Sequence, residues 1–88
     1  MPPIPFNRPS LTGNELPYLA QVLESRYLSG DHDFTKRCHA LLEQSTGARK
    51  ALLTHSCTGA LEMAAMLSGV GPGDEVIMPS LTFVSTAN

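Results

Sequence analysis

This 88-residue chain has few of the features that would send a protein to a membrane, a nucleic acid or an oxidising compartment. No apolar run approaches bilayer length. The first ten residues, MPPIPFNRPS, are too rich in proline and too short in apolar run to act as a secretory signal. The net charge is −2, so there is no strong pull toward nucleic acid or an anionic lipid surface. A cytoplasmic location follows by default. Charged residues make up only 16% of the chain and hydrophobic ones 42%, and no segment is of low complexity. That balance excludes a disordered tail and suits a globular core.

Familiar chemical signatures are also missing. Two cysteines, Cys38 and Cys57, do not make a disulfide framework and read as reduced thiols. His32, Cys38, His39, His55 and Cys57 are zinc-ligand types, but no C-x-x-C or H-x-x-x-H pair joins them. There is no G-x-x-x-x-G-K-[ST] phosphate loop. Residues 54–58, THSCT, lack the glycines of a nucleophile elbow. The glycines of Gly69-Val70-Gly71-Pro72-Gly73 follow a helix and precede a strand, the wrong context for a dinucleotide turn. Only Lys36 and Lys50 carry amines, one on a wet helical face and one just before a strand.

What is present is a clear order of elements. Met1–Thr12 carries four of the seven prolines and reads as an extended arm. Its Ile4 and Phe6 predict that it lies on its own domain or on a partner. Leu16, Leu19, Ala20 and Leu23 predict a helix over Asn14–Tyr27, with Pro17 tolerated in its first turn. Leu28–Asp31 breaks it, and Asp31 or Asp33 can cap the next helix, about Phe34–Ser45. Phe34, Cys38, Leu41 and Leu42 form that helix's apolar face, Lys36, Arg37, Glu43 and Gln44 its wet face, and Gly47 its stop.

Ala51–Thr54 reads as a short buried strand. Thr58–Ser68 is a helix apolar on nearly all sides, which predicts burial between layers. Gly71–Asp74 is a turn, Glu75–Met78 a second strand, and Ser80 or Thr82 would cap a further helix. Strand, helix, strand in this order implies an α/β domain with a largely parallel sheet. Two strands are too few for such a sheet, so the chain reads as the opening part of a larger protein. A self-contained unit that binds a phosphate-bearing ligand without chemistry is the alternative.

Ser56-Cys57-Thr58-Gly59 carries the strongest chemical hint. A strand running into a helix there turns unpaired amides, with the positive end of the helix dipole, toward an anion. Small side chains let a ligand approach the main chain, and the Ser56 or Thr58 hydroxyl can add a donor. The plain alternative is a simple helix cap. A helix N-terminus can also lower the thiol pKa of Cys57, although no base accompanies it. His55 either faces a ligand or ends the strand. Phe83 follows the second strand, where ligands of open α/β sheets gather, and its ring can stack on a heterocycle or pack in the core.

Ser56–Leu61, Gly71–Ser80 and Thr82–Asn88, with Ile4–Asn7 and the Gly30-Asp31 break, resemble the pyridoxal-phosphate sugar aminotransferases of the DegT/StrS type. The resemblance covers essentially the whole chain. It implies the N-terminal part of the large domain of a fold-type I transferase. Residues 1–88 would supply an arm, two helices and the first strand-helix-strand. It implies pyridoxal 5′-phosphate as cofactor and a nucleotide sugar, a dTDP-4-keto-6-deoxy sugar, as substrate. Glutamate would be the amino donor, in the biosynthesis of a cell-surface polysaccharide, enterobacterial common antigen. A homodimer or larger homo-oligomer is implied, with no nucleic acid or membrane partner.

Carried over residue by residue, Ser56, Cys57, Thr58 and Gly59 would form the phosphate cup, with the Cys57 and Thr58 amides holding the phosphate. Phe83 would stack on the pyridine ring. Tyr27–Asp31 would reach a partner's active site. Cys57 departs from the glycine that most members carry. The family's catalytic lysine and the acid facing the pyridine nitrogen match no position here, and neither Lys36 nor Lys50 fits the lysine's place. The chain is therefore expected to be inactive alone. The resemblance also implies that the two strands are not neighbours in the sheet.

Overall fold

Three amphipathic or apolar segments, each closed by a local stop, become three α-helices: α1 (Glu15–Ser25), α2 (Asp33–Thr46) and α3 (Cys57–Ser68). The computed structural model describes residues 1–88, and a 3-10 turn at Val84–Thr86 completes its regular structure.

At the start of α1 the Glu15 carboxylate accepts from the Thr12 amide at 2.6 Å, the Thr12 hydroxyl at 3.0 Å and the Gly13 amide at 2.8 Å. This folds the end of the proline-rich arm onto the helix. The helix ends at Ser25, two residues before the expected limit. Ser25 Oγ donates to the Val22 carbonyl at 2.7 Å and accepts from the Tyr27 amide at 3.2 Å. Arg26 then turns left-handed at φ 60°. A side chain has taken over the last turn's partners.

Neither Asp31 nor Asp33 caps α2. The cap residue is His32, which makes no side-chain capping bond, and Asp33 already lies in the first turn. Gly47 stops α2 as expected, at φ 72°, with its amide on the Glu43 carbonyl at 3.0 Å. Gly69 stops α3 with the same left-handed turn, at φ 68°, its amide on the Met66 carbonyl at 3.2 Å. The Gly71–Asp74 turn is closed twice, by the Asp74 amide on the Gly71 carbonyl (3.1 Å) and the Gly71 amide on Asp74 Oδ2 (2.9 Å).

The α/β sheet expected from the order of elements does not form. The structure contains no strand, and both Ala51–Thr54 and Glu75–Met78 lack regular secondary structure. The physical reason is pairing. A strand exists through its ladder, and neither segment has a backbone partner here. Two amides of the first segment are taken by side chains instead, Ala51 by Glu43 Oε1 at 3.0 Å and Leu53 by His39 Nε2 at 2.8 Å.

No residue is buried. The arm's Ile4 and Phe6 rest on nothing, and α3 is not enclosed between layers: its Leu67 is 80% exposed. α1 and α2 meet through rings, Tyr18 edge-on to Phe34 at 5.4 Å. Arg37, expected on a purely wet face, lies 5.0 Å from the Phe34 ring and 5.9 Å from the Tyr18 ring. Tyr27 stacks on His32 at 4.0 Å across the α1–α2 loop. Of the regular elements, α3 and the 3-10 turn pack against each other.

Candidate functional site

The mouth of α3 is built from its own first residues. Ser56 is in extended backbone, φ −158° and ψ 159°, and its Oγ accepts from the Gly59 amide at 3.0 Å. Its carbonyl accepts from the Ala60 amide at 3.1 Å and from the Thr54 hydroxyl at 2.7 Å. Those bonds hold the turn in shape and satisfy two of the helix's first four amides. The Cys57 and Thr58 amides have no acceptor. They are two of the donors left at the positive end of the helix dipole.

Gly59 is in a tight place. A Cβ there would sit 3.3 Å from Ser56 Oγ and 3.3 Å from His55 Cε1. His55 thus lies over the first turn of α3 and has no hydrogen bond to it. The sequence left His55 open between a ligand-facing and a strand-ending role, and its place against Gly59 is a third. Cys57 is a free, exposed thiol and Cys38 a free, half-buried one. The five zinc-ligand types are not gathered into any group of three or more that could hold a metal ion.

A groove of about 470 Å³ runs between α3 and the 3-10 turn. Thr58, Leu61 and Glu62 line it from the helix, and Val84, Ser85 and Thr86 from the turn. Thr58 is the one residue shared by the groove and the unpaired amides. The Thr86 amide bonds back to the Phe83 carbonyl at 3.0 Å, and Thr82 and Thr86 hydroxyls meet at 2.8 Å, which closes the turn on itself. Phe83 precedes the turn and is 75% exposed, so its ring is not packed in a core. It does not line the groove. The sequence reading missed Glu62, Ser85 and Thr86, because a groove wall is made by two elements meeting and neither segment carries that information alone. Neither lysine lines the groove: Lys50 Nζ pairs with Glu43 Oε1 at 3.8 Å, and Lys36 lies on α2.

Two unpartnered amides at a helix mouth, with the Thr58 hydroxyl in the same turn, are donors of the type a phosphate monoester takes, and Gly59 adds no side chain of its own beside them. Residues 9–88 match the model of the DegT/DnrJ/EryC1/StrS aminotransferase family. The chain belongs to this family. Its members are pyridoxal-phosphate-dependent, and the donor set of the α3 mouth fits that cofactor's phosphate. No helix of the chain is long and apolar enough to cross a membrane.

Proposed function

We propose that this chain serves pyridoxal-phosphate-dependent transamination of a nucleotide sugar, with the α3 mouth as its phosphate-binding element. The observation that carries the reading is the pair of unpartnered amides at Cys57 and Thr58, directly before a glycine where a Cβ would press on Ser56 Oγ and His55 at 3.3 Å. When bound, the cofactor supplies the electron sink for the bond changes at the amino donor's α-carbon. The chain's own part is to bind and orient. The Cys57 and Thr58 amides, with the Thr58 hydroxyl, would hold the phosphate. Ser56 keeps its acceptor on Gly59 and so fixes their direction. Phe83, with its ring free, would cover the heterocycle.

The substrate we propose is a dTDP-4-keto-6-deoxy sugar and the donor glutamate, the reaction of a dTDP-4-amino-4,6-dideoxygalactose transaminase in enterobacterial common antigen synthesis. The motif resemblance of Ser56–Leu61, Gly71–Ser80 and Thr82–Asn88 supports it. In that reading the working enzyme is a cytoplasmic homodimer or larger homo-oligomer. Its segments Ala51–Thr54 and Glu75–Met78 enter a mostly parallel sheet, with further strands between them. Because neither Lys36 nor Lys50 lines the groove, the same proposal has these 88 residues not performing the transfer alone.

Titrating pyridoxal 5′-phosphate into the 15N-labelled chain tests the cup. The amide signals of Cys57 and Thr58 move first and furthest. Their staying still while other amides respond would place the phosphate elsewhere and end this reading.

A further inference from the structure

We propose that His39 is a positioning residue for the phosphate-binding turn, acting through the backbone of Leu53; the proposal rests on the reading of that turn given above. The Leu53 amide donates to His39 Nε2 at 2.8 Å, across fourteen positions of sequence. One helical turn on from His39, Glu43 Oε1 accepts from the Ala51 amide at 3.0 Å. Two side chains on one side of α2 therefore hold two alternate amides of the segment that leads into the turn.

The hold passes on within a few residues. The Thr54 hydroxyl donates to the Ser56 carbonyl at 2.7 Å, and Ser56 Oγ accepts from the Gly59 amide at 3.0 Å. The backbones of α2 and α3 do not approach one another, and this relay is the hydrogen-bonded route from α2 to the α3 mouth. The Lys50–Glu43 pair at 3.8 Å lies on the surface, where such pairs add little. His39 also acts with a defined proton. An imidazole that accepts at Nε2 carries its hydrogen on Nδ1. Binding groups lose effect when displaced by a fraction of an ångström, so a turn freed at Leu53 presents the Cys57 and Thr58 amides less well.

The test compares the labelled wild-type chain with H39L, which has no acceptor, and H39Q, whose carbonyl can accept from the same amide. Pyridoxal 5′-phosphate is the probe, and the Cys57 and Thr58 amide signals report its affinity. In the wild type a 15N–15N coupling across the hydrogen bond joins Leu53 N to His39 Nε2. In H39L affinity falls about fivefold, the worth of one hydrogen bond, while circular dichroism shows the same helix content. H39Q restores affinity close to the wild-type value, which a side chain acting only as packing would not do. Unchanged affinity in H39L, or no recovery in H39Q with its helices intact, overturns the positioning role and leaves the cup standing. Cys57 and Thr58 signals that ignore the probe in the wild type overturn the cup itself, and His39's role with it.

Discussion

Ser56 does two things with two atoms. Its carbonyl begins the helix and its hydroxyl oxygen caps the Gly59 amide. Ser56→Ala removes the second and is expected to cost α3 about 1 kcal/mol, read as lost helix signal in circular dichroism. The same change frees the Gly59 amide beside the two that are already free, so phosphate affinity should fall less than helix stability does. Glu15 gives a prediction in pH. The Thr12 amide, its own amide, the Thr12 hydroxyl and the Gly13 amide hold its carboxyl down to about 2. A depressed carboxyl stabilises the fold above its ordinary value, about 4.3, and the contribution disappears as pH falls through about 2. The first turn of α1 should therefore loosen between those limits. Glu15→Gln should flatten that acid response, and a carbon-detected titration of Glu15 with an ordinary midpoint would show that the donors do not hold it.

Helices obey nearby residues, and that is why they were the legible elements. The Leu16, Leu19, Leu23 spacing and the stops at Gly47 and Gly69 are all decided within one turn of the chain. Gly47 is the sharpest instance. Its φ of 72° admits a Cβ sterically, with nothing within 4 Å, but not conformationally without strain. Gly47→Ala should cost about 1 kcal/mol and unwind the end of α2, seen as faster amide exchange at Glu43 to Gly47. The missed limits were also local: Ser25 turning its hydroxyl to Val22 and Tyr27, and His32 standing where Asp31 or Asp33 was expected. Strands do not obey nearby residues. The apolar runs at 51–54 and 75–78 have the composition for a sheet, but a ladder needs a second chain segment at hydrogen-bonding distance. The candidate site divides in the same way. The cap and free amides of α3 could be read from Ser56 to Gly59, whereas the Thr58–Thr86 groove and the His39–Leu53 bond join residues far apart in sequence.

At the scale of the molecule, the decisive quantity is exposed surface. A folded monomer of this mass exposes about 5,000 Å², and this chain exposes 8475 Å². A compact chain of this length has a radius of gyration near 12 Å, against 17.6 Å here. Leu16, Leu19, Leu23, Met66, Leu67 and Val76 all lie on the surface, so their burial contributes little of the stability that a core of that composition would give. Local caps and rings are left to hold the helices. Short helices held that way melt one by one, because nucleation is costly and no shared core couples them. Heating the isolated chain is therefore expected to give a broad, shallow loss of helix signal with no calorimetric peak, and a dye specific for exposed apolar surface should bind it before any heating. The stand-alone phosphate-binding unit makes the opposite demand, since a domain that works by itself must first fold by itself. A single sharp transition, silent to the dye below its midpoint, would favour that unit and would mean that these apolar faces close on one another in solution.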